Sequence, residues 1–408
     1  MLYHAYEMQR SWLAGASALA NMSAELLQSP SHPMSYFGGG PVMASALEVF
    51  AHAAAPRGKP AFGLTSTVVD GVEVAVHEEI VLQMPFGQLK RFVKEGVEGA
   101  PRLLIVAPMS GHFATLLRGT VERMLPKHDV YITDWRDARE VPLRDGRFDL
   151  DDYIDYLVAF METVGPDAHM LAVCQPSVPC YAMAALMSAD KHPCRPKTLT
   201  MMGGPIDTRE MPTSVNDVAT ERPHAWFAQN AIQTVPVMYP GAGRKVYPGF
   251  LQLTGFLAMN LGSHMESHFA MFKDLVRGDD DAADGAKAFY EEYRSVCDMT
   301  AEFYLQTIHT VFQDHSLPKG TMMHRGTRVD PAAITDIAIL AIEGERDDIS
   351  GIGQTKAALK ISTGLPEVMK KCHMAEGAGH YGIFNGSKWR NGVAPVVEDW
   401  IARHTVKG

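Results

Sequence analysis

A cysteine, an aspartate and a histidine follow one another along this sequence in the order of a nucleophile, an acid and a base. Cys174 and Asp347 each follow an apolar run, and His380 lies in the small-residue loop 376–382. A thiolate can attack a carbonyl carbon, an imidazole can carry the proton, and a carboxylate can fix the imidazole tautomer. Together the three side chains predict nucleophilic acyl transfer through a covalent intermediate.

The residues around Cys174 predict a sharp strand-to-helix turn. The run 168–173 is short and apolar, as in a buried strand, and a helical pattern follows Pro176. Nucleophiles of α/β hydrolases stand at such a turn, and their acid and base follow in this chain order. The usual turn has glycines two residues either side of the nucleophile, where this sequence has Ala172 and Pro176. A lone cysteine at a strand end is often inert. The acid and the histidine farther along the chain, however, favour the interpretation of Cys174 as a nucleophile.

Two neighbouring aspartates compete for the role of the acid. Asp347 lies three residues after Gly344, at the end of an apolar strand pattern, and Asp348 follows it directly. The third member of the triad usually holds the position of Asp347 in this arrangement. We therefore favour Asp347 and expect Asp348 to be solvated.

An acyl-transfer site also needs hydrogen-bond donors for the oxyanion. The expected donors are the backbone N–H of Gln175, which follows the nucleophile, and that of Met109 or Ser110 in an earlier loop. Gly111 would let that backbone approach a substrate closely. Ser110 is not expected to be the nucleophile, because it lies on the oxyanion loop. Two roles stay open for His112, contact with substrate or capping of the next helix.

Composition narrows the class of protein. The chain has 408 residues, of which 46% are hydrophobic and 21% charged, enough to bury a large core. A net charge of −10, without a cluster of lysines and arginines, excludes a nucleic-acid surface. Five scattered cysteines predict neither a disulfide framework nor a zinc site, and they favour a reducing compartment.

The N-terminal residues have the pattern of an amphipathic helix. Tyr3, Met8, Trp12 and Leu19 lie at helical spacing, and Glu7 precedes the apolar part without a basic cluster. We therefore interpret this stretch as a helix of the folded protein and not as a secretory leader. Because no apolar run is long enough to span a bilayer, we expect a soluble protein.

Alternating apolar strand and helix patterns predict an α/β fold, a mostly parallel sheet with helices on both faces. Strands are expected at 78–93, 101–108, 128–135, 168–173, 197–203, 337–344 and 371–375, and helices at 2–27, 43–53 and 150–164. The gap after residue 203 breaks the alternation and indicates an inserted unit. The expected parts are an N-terminal helical extension (1–75), the hydrolase core (76–206 and 328–408) and a helical cap or lid insertion (207–327).

The insertion is rich in methionine and aromatic residues, among them Phe227, Tyr247, Phe250, Met265 and Phe269. Such residues can form the core of the insertion itself. They can also line an apolar groove for a water-poor substrate. Both interpretations stay open for different residues.

Several segments of the sequence resemble a known family. They are residues 106–118, 131–137, 172–176, 202–207 and 377–382. Together they are similar to the intracellular poly(3-hydroxybutyrate) depolymerases of bacteria, over the chain from near Tyr3 to its end. The resemblance implies an esterase of storage granules with a Cys-Asp-His triad, and Cys174, Asp347 and His380 hold the matching positions. The related polymer synthases keep glycines around their cysteine, so Gln175 and Pro176 favour a depolymerase.

The sequence thus predicts a cytoplasmic, granule-associated poly(3-hydroxybutyrate) depolymerase that forms a thioester acyl-enzyme. The polymer or its granule surface is the expected partner, a homo-oligomer stays open, and no cofactor or metal is expected. Free coenzyme A is considered as a co-substrate that would thiolyse the thioester. Two alternatives stay open, a synthase-like acyltransferase acting on 3-hydroxyacyl-CoA and a granule-binding protein without catalysis.

Overall fold

The structure is a computed structural model, and it describes residues 2–29, 31, 33–36, 39–56, 58–259 and 291–405. Its strands are β1 (Ser66–Val69), β2 (Val72–Met84), β3 (Gly87–Lys94), β4 (Arg102–Val106), β5 (Asp129–Trp135), β6 (His169–Val173), β7 (Thr198–Met202), β8 (Gln233–Thr234), β9 (Lys245–Tyr247), β10 (Met299–Thr300), β11 (Met323–His324), β12 (Thr327–Arg328), β13 (Ala338–Gly344) and β14 (Lys370–Ala375). Its helices are α1 (Leu2–Gln28), α2 (Gly39–Ala54), α3 (Arg118–Met124), α4 (Leu150–Val164), α5 (Ser177–Ala189), α6 (Ser214–Glu221), α7 (His224–Asn230), α8 (Gly249–Met259), α9 (Ala301–Thr307), α10 (Ala357–Ile361), α11 (Gly386–Lys388) and α12 (Ala394–His404).

Nine strands form the central sheet, in the order β1-β2-β3-β5-β4-β6-β7-β13-β14. Neighbours from β1 to β5 pair antiparallel, and neighbours from β5 to β14 pair parallel. The inner parallel strands are largely apolar because helices cover both of their faces, and every residue of β6, β7 and β13 is buried. The carboxyl ends of β6, β7 and β13 therefore meet at one edge of the sheet.

Helices cover both faces of this sheet. Tyr153 and Phe160 of α4 and Tyr181 of α5 belong to the core on one face. Val121 of α3 and Ile401 of α12 belong to the core on the other. This arrangement confirms the predicted α/β-hydrolase fold class, and the predicted limits of α4 agree with the structure.

The predicted boundary at residue 75/76 differs from the structure, because it falls inside β2. The central sheet begins at Ser66, where β1 pairs with the first residues of β2 across the turn at Asp70 and Gly71. The physical reason is that these edge strands have one solvated face and alternate in polarity. Strand β1 has only four residues, too few to separate it from an extended linker in the sequence.

The insertion is not purely helical, in contrast to the expected helical cap. The short strands β8, β9 and β10 form a second, antiparallel sheet within it. Helix α9 packs against β9 and β10 of this sheet and against α7. Residues 260–290, which include Met265 and Phe269, lie outside the described residues. We call the described part of residues 207–327 the cap.

The N-terminal helices α1 and α2 form a helical hairpin that packs on the cap. Tyr3 is buried against Val235 and Val246 of the cap. Met8 and Trp12, which helical spacing had placed on an amphipathic helix, face outward. Within the described residues, no helix combines the length and the apolar character needed to cross a bilayer.

Candidate active site

Cys174 stands at the turn between β6 and α5, where the sequence analysis expected it. Its backbone has a φ of +67°, in the left-handed region that costs a non-glycine residue about 1 kcal/mol or more. Two hydrogen bonds hold this conformation. Cys174 N donates to Met202 O at 2.7 Å, and Ser177 N donates to Cys174 O at 3.0 Å. The turn directs the thiol away from the sheet and towards a cavity that Cys174 lines.

Two glycines on the neighbouring strand end supply the space that this turn needs. A Cβ on Gly204 would overlap Ser177 Oγ and lie 3.2 Å from Cys174 O. A Cβ on Gly203, whose φ is +59°, would lie 3.0 Å from Cε1 of His380. The glycines that usually flank the nucleophile are thus replaced by a pair that follows β7. The sequence shows two adjacent glycines after a strand, but their role beside Cys174 depends on a tertiary contact.

His380 and Asp347 lie together beside Cys174. His380 Nδ1 donates to Asp347 Oδ2 at 2.8 Å, and the two side chains are 4% and 0% exposed. The other oxygen, Asp347 Oδ1, accepts from the backbone N–H groups of Ile349 at 2.9 Å and Ser350 at 2.8 Å. These bonds fix the carboxylate and the ring. The second ring nitrogen is left for the thiol of Cys174, which is within hydrogen-bonding reach of the ring.

The surroundings of His380 favour its protonated form. Burial by itself would lower the pKa of the imidazole. The negative charges of Cys174 and Asp347, together with hydrogen bonds to both, outweigh burial and raise the pKa of His380 well above its ordinary value. The ring can therefore carry a positive charge beside the sulfur of Cys174.

The structure separates the two candidate acids. Asp347 contacts the ring of His380, whereas Asp348 is exposed. Glu343, which is 2% exposed, anchors the loop that carries Asp347. Its carboxylate accepts from Gly353 N at 3.0 Å and from Lys356 N at 2.8 Å. Sequence reasoning missed this supporting carboxylate, because a single glutamate inside an apolar strand pattern gives no sign of its partners.

The expected oxyanion donors lie around Cys174. Gln175, Met109 and Ser110 all line the same cavity as the thiol. Within the parts of the chain that the structure describes, the backbone N–H groups of these three residues donate no hydrogen bond. Gly111 beside them has a φ of +93°, so the loop takes a path that glycine favours. These N–H groups are thus available to a substrate carbonyl oxygen.

His112 and Gly111 connect the loop that contains Met109 and Ser110 to the cap. Its Nε2 lies 3.0 Å from Tyr293 O, and Cys297 N donates to Gly111 O at 2.8 Å. Burial lowers the pKa of His112 to about 4, so the ring is neutral near neutral pH. A neutral ring that faces a carbonyl oxygen donates from Nε2. Of the two roles left open for His112, capping of the next helix is not the one observed, while the ring does border the cavity.

A cavity of about 420 Å³ lies between the core and the cap, with Cys174 and His380 on its wall. Most of its other wall residues are apolar. Many of these apolar residues come from the cap, such as Val218, Phe227 and Phe303. The aromatic residues of the insertion lie in two different surroundings. Phe227 and Tyr247 line the cavity, whereas Phe250 packs against the helical hairpin.

Across the described ranges, no three side chains of histidine, cysteine, aspartate or glutamate are grouped so as to hold a metal ion. The five cysteines are free, and only Cys174 among them lines the cavity.

We expect Gly204→Ala to disrupt the site. The added Cβ overlaps Ser177 at the start of α5, so the strand end and the nucleophile turn must separate. Overpacking of this kind costs roughly 1–3 kcal/mol of unfolding free energy, and displacement of the nucleophile by about 1 Å lowers activity roughly 100-fold. Urea unfolding and ester hydrolysis measure the two effects. Gly392→Ala is the control, because a Cβ at that position meets nothing within 4 Å. Wild-type activity in Gly204→Ala would contradict the close packing of Gly204 against Ser177.

Comparison with solved structures gives hydrolases and related enzymes of low identity. A lipase-like protein from Acinetobacter baumannii is 11% identical, with a TM-score of 0.43, over 80% of this chain and 93% of that chain. A bromoperoxidase-like protein from Mycobacterium tuberculosis is 12% identical, with a TM-score of 0.44, over 83% and 98%. A thermophilic esterase from Thermogutta terrifontis is 14% identical, with a TM-score of 0.41, over 84% and 98%. No curated protein matches the sequence significantly.

A family match covers the second half of the chain. Residues 203–405 match the family described as PHB de-polymerase C-terminus. The matched region contains Asp347 and His380, the cap and the second part of the core, and it begins at Gly203, beside the nucleophile turn. Together with the observed sheet order, this match confirms the resemblance found in the sequence. The chain is PHB depolymerase-like over residues 203–405, and its fold is that of an α/β hydrolase.

Proposed function

We propose that this protein cleaves the ester bonds of poly(3-hydroxybutyrate) with Cys174 as nucleophile, His380 as acid and base, and Asp347 as the group that orients His380. The observation that carries the proposal is the contact of one buried imidazole with both a thiol and a carboxylate, at the wall of an apolar cavity. The match to the PHB de-polymerase family supports the choice of substrate.

The first half of the reaction forms a thioester. The Cys174 thiolate attacks the carbonyl carbon of an ester in the polymer, and the backbone N–H groups of Gln175 and of Met109 or Ser110 bind the developing oxyanion. The tetrahedral intermediate collapses with cleavage of the bond between carbon and the alkoxide oxygen. The imidazolium of His380 gives its proton to that alkoxide, which leaves as the hydroxyl end of the shortened chain.

The second half releases the acyl group. Neutral His380 takes a proton from water, and the resulting hydroxide attacks the thioester carbonyl. The bond to sulfur breaks, the thiolate returns, and the product leaves as a free 3-hydroxy acid or oligomer. Asp347 keeps the ring in one tautomer and stabilises its charge in both halves. No cofactor takes part in this proposal, and free coenzyme A could replace water as the acyl acceptor without a change in the catalytic residues.

The apolar wall fits a polyester better than a charged substrate. Phe227, Phe303 and Tyr304 of the cap and Phe384 of the core would contact the methyl groups and methylenes of the chain. A cavity of about 420 Å³ has room for one chain segment of a few monomer units and not for several packed chains. We therefore propose that the enzyme works on single chain ends or loops drawn from amorphous polymer at the granule surface.

Product analysis tests this function. The protein is incubated with amorphous poly(3-hydroxybutyrate), and the supernatant is analysed for 3-hydroxybutyrate and short oligomers. We expect both products without any additive. A parallel reaction with coenzyme A reports acyl-CoA if the thioester is intercepted. Formation of polymer from 3-hydroxybutyryl-CoA, with no release of acid from polymer, would instead establish the synthase-like alternative.

A further inference from the structure

The helical hairpin turns its large apolar side chains outward. In α1 these residues recur at intervals of four, seven, three and four positions, so they lie on one face of the helix. Their exposed fractions are 68% for Met8, 84% for Trp12, 66% for Leu19, 66% for Met22 and 57% for Leu26. In α2, Val42, Met43 and Phe50 are exposed as well. Contiguous exposed apolar surface of this kind marks a binding face.

Small residues hold the hairpin together. Ser17, Ala20 and Ala24 are the buried residues in the second half of α1, and Ala44 and Ala51 are buried in α2. Ser17 Oγ donates to Ala51 O at 2.7 Å, so the two helices approach closely. The exposed large side chains are therefore not needed for contact between the helices. Their place in the sequence is explained by contact with something outside the fold.

Charge distinguishes the candidate partners. Residues 2–54 contain no lysine and a single arginine, Arg10, which is partly buried. Helices that adsorb to anionic lipid carry several lysines or arginines beside the apolar face. A coiled coil with a second copy would place Gly15 in the seam and would need charged pairs along the flanks. The flanking positions are Gln9, Ser11, Ala16, Ala18 and Ser23. An uncharged face complements a neutral, water-insoluble surface.

The hairpin is joined to the wall of the catalytic cavity. Tyr3 Oη donates to Asp298 Oδ2 at 2.5 Å, and Gly249 N, at the start of α8, donates to Asp298 Oδ1 at 3.0 Å. Tyr6 stacks on Phe250 of α8 with ring centroids 4.0 Å apart. The same helix carries Gln252 to the cavity wall. A surface bound by the hairpin would therefore lie at a fixed position relative to the cavity.

We propose that the outward face of α1, formed by Met8, Trp12, Leu19, Met22 and Leu26, is the docking surface for the neutral polyester of the granule. The helical hairpin holds the protein on the solid polymer, while the cavity receives one chain segment at a time. The identity of the polymer rests on the proposed function. The docking itself does not require catalysis, so the two can fail separately.

Sedimentation with polymer granules stripped of protein tests the docking. The double variant Trp12→Gln/Leu19→Gln is compared with Val68→Gln/Val368→Gln, which changes two residues exposed elsewhere, at 55% and 83%. Each lost apolar contact weakens adsorption. We therefore expect the ratio of granule-bound to free protein to fall by roughly 10-fold or more in the hairpin variant. The control variant should partition like the wild type. Hydrolysis of a water-soluble short oligomer should be unchanged in both.

Each other outcome overturns the docking surface. Unchanged partitioning of the hairpin variant would show that the polymer is bound elsewhere. A wild-type dimer that the same substitutions convert to a monomer would identify the face as a subunit interface. Equal binding to phosphatidylglycerol vesicles would identify a lipid surface. Hydrolysis of the soluble oligomer is measured independently, so failure of docking is not confused with failure of the proposed catalysis.

Discussion

Replacing Cys174 by alanine is expected to lower kcat for ester hydrolysis by at least about 10³. The proposed reaction begins with attack by the sulfur, and alanine leaves His380 and Asp347 in place with no group to activate. The hydrogen bond between His380 and Asp347 at 2.8 Å does not involve the sulfur, so the fold should survive. Release of 3-hydroxybutyrate from amorphous polymer measures the loss, and circular dichroism and thermal unfolding check the fold.

The matched control removes a different thiol. Cys372 is exposed on β14, away from the cavity, so Cys372→Ala should keep full activity. Cys174→Ala should still sediment with polymer granules, since the helical hairpin is unchanged. Retained hydrolysis in the Cys174 variant would refute the nucleophile assignment and would point to Ser110 or a hydroxyl elsewhere on the cavity wall.

Replacing Asp347 by asparagine is expected to lower kcat by roughly 10²–10⁴ and to change the pH profile. The pKa of His380 is raised by the charges of Cys174 and Asp347 and by hydrogen bonds to both, against the effect of burial. The proton that the leaving alkoxide needs is lost as the pH rises through that raised pKa. Wild-type activity should therefore persist well above pH 6.5 and then fall.

Removing the Asp347 charge should lower the pKa of His380, because one of the interactions that favour the imidazolium disappears. The alkaline limb of the kcat/KM profile should then move to lower pH. Asp348→Asn is the control, since Asp348 is exposed and Asp347 is the acid in contact with the ring. An unchanged limb in Asp347→Asn, or an equal shift in Asp348→Asn, would contradict the orienting role of Asp347.

The parallel strands and the chain order of the chemical groups could be predicted because both leave strong local signals. Strands β4, β6 and β13 are short, mostly apolar runs, since they are covered on both faces. Their carboxyl ends meet at one edge of the sheet, so a cysteine and an aspartate that follow two of them must lie close together. His380 follows β14, which pairs with β13 in parallel, so its contact with Asp347 agrees with the same topology.

Contacts between short or distant segments could not be predicted. Strand β9 pairs with the two-residue strand β10, which lies far away in the chain, and neither has enough residues to show a period. The Gly203–Gly204 pair replaces the usual glycines from a neighbouring strand, so its role depends on tertiary contact. Helical spacing grouped the apolar residues of α1 on a helix, but periodicity does not say which face of a helix points inward. Trp12 was therefore not recognised as an exposed residue.

The proposed mechanism requires the sulfur of Cys174 to carry an acyl group during each turnover. The protein is mixed with a short 3-hydroxybutyrate oligomer ester, quenched in acid within the first turnover, digested and mapped by mass spectrometry. We predict one hydroxybutyryl or oligomer adduct on the peptide that contains Cys174, and its release by neutral hydroxylamine, as for a thioester. An adduct on Ser110 or Ser177, or turnover with no adduct on Cys174 under single-turnover conditions, would contradict the central claim.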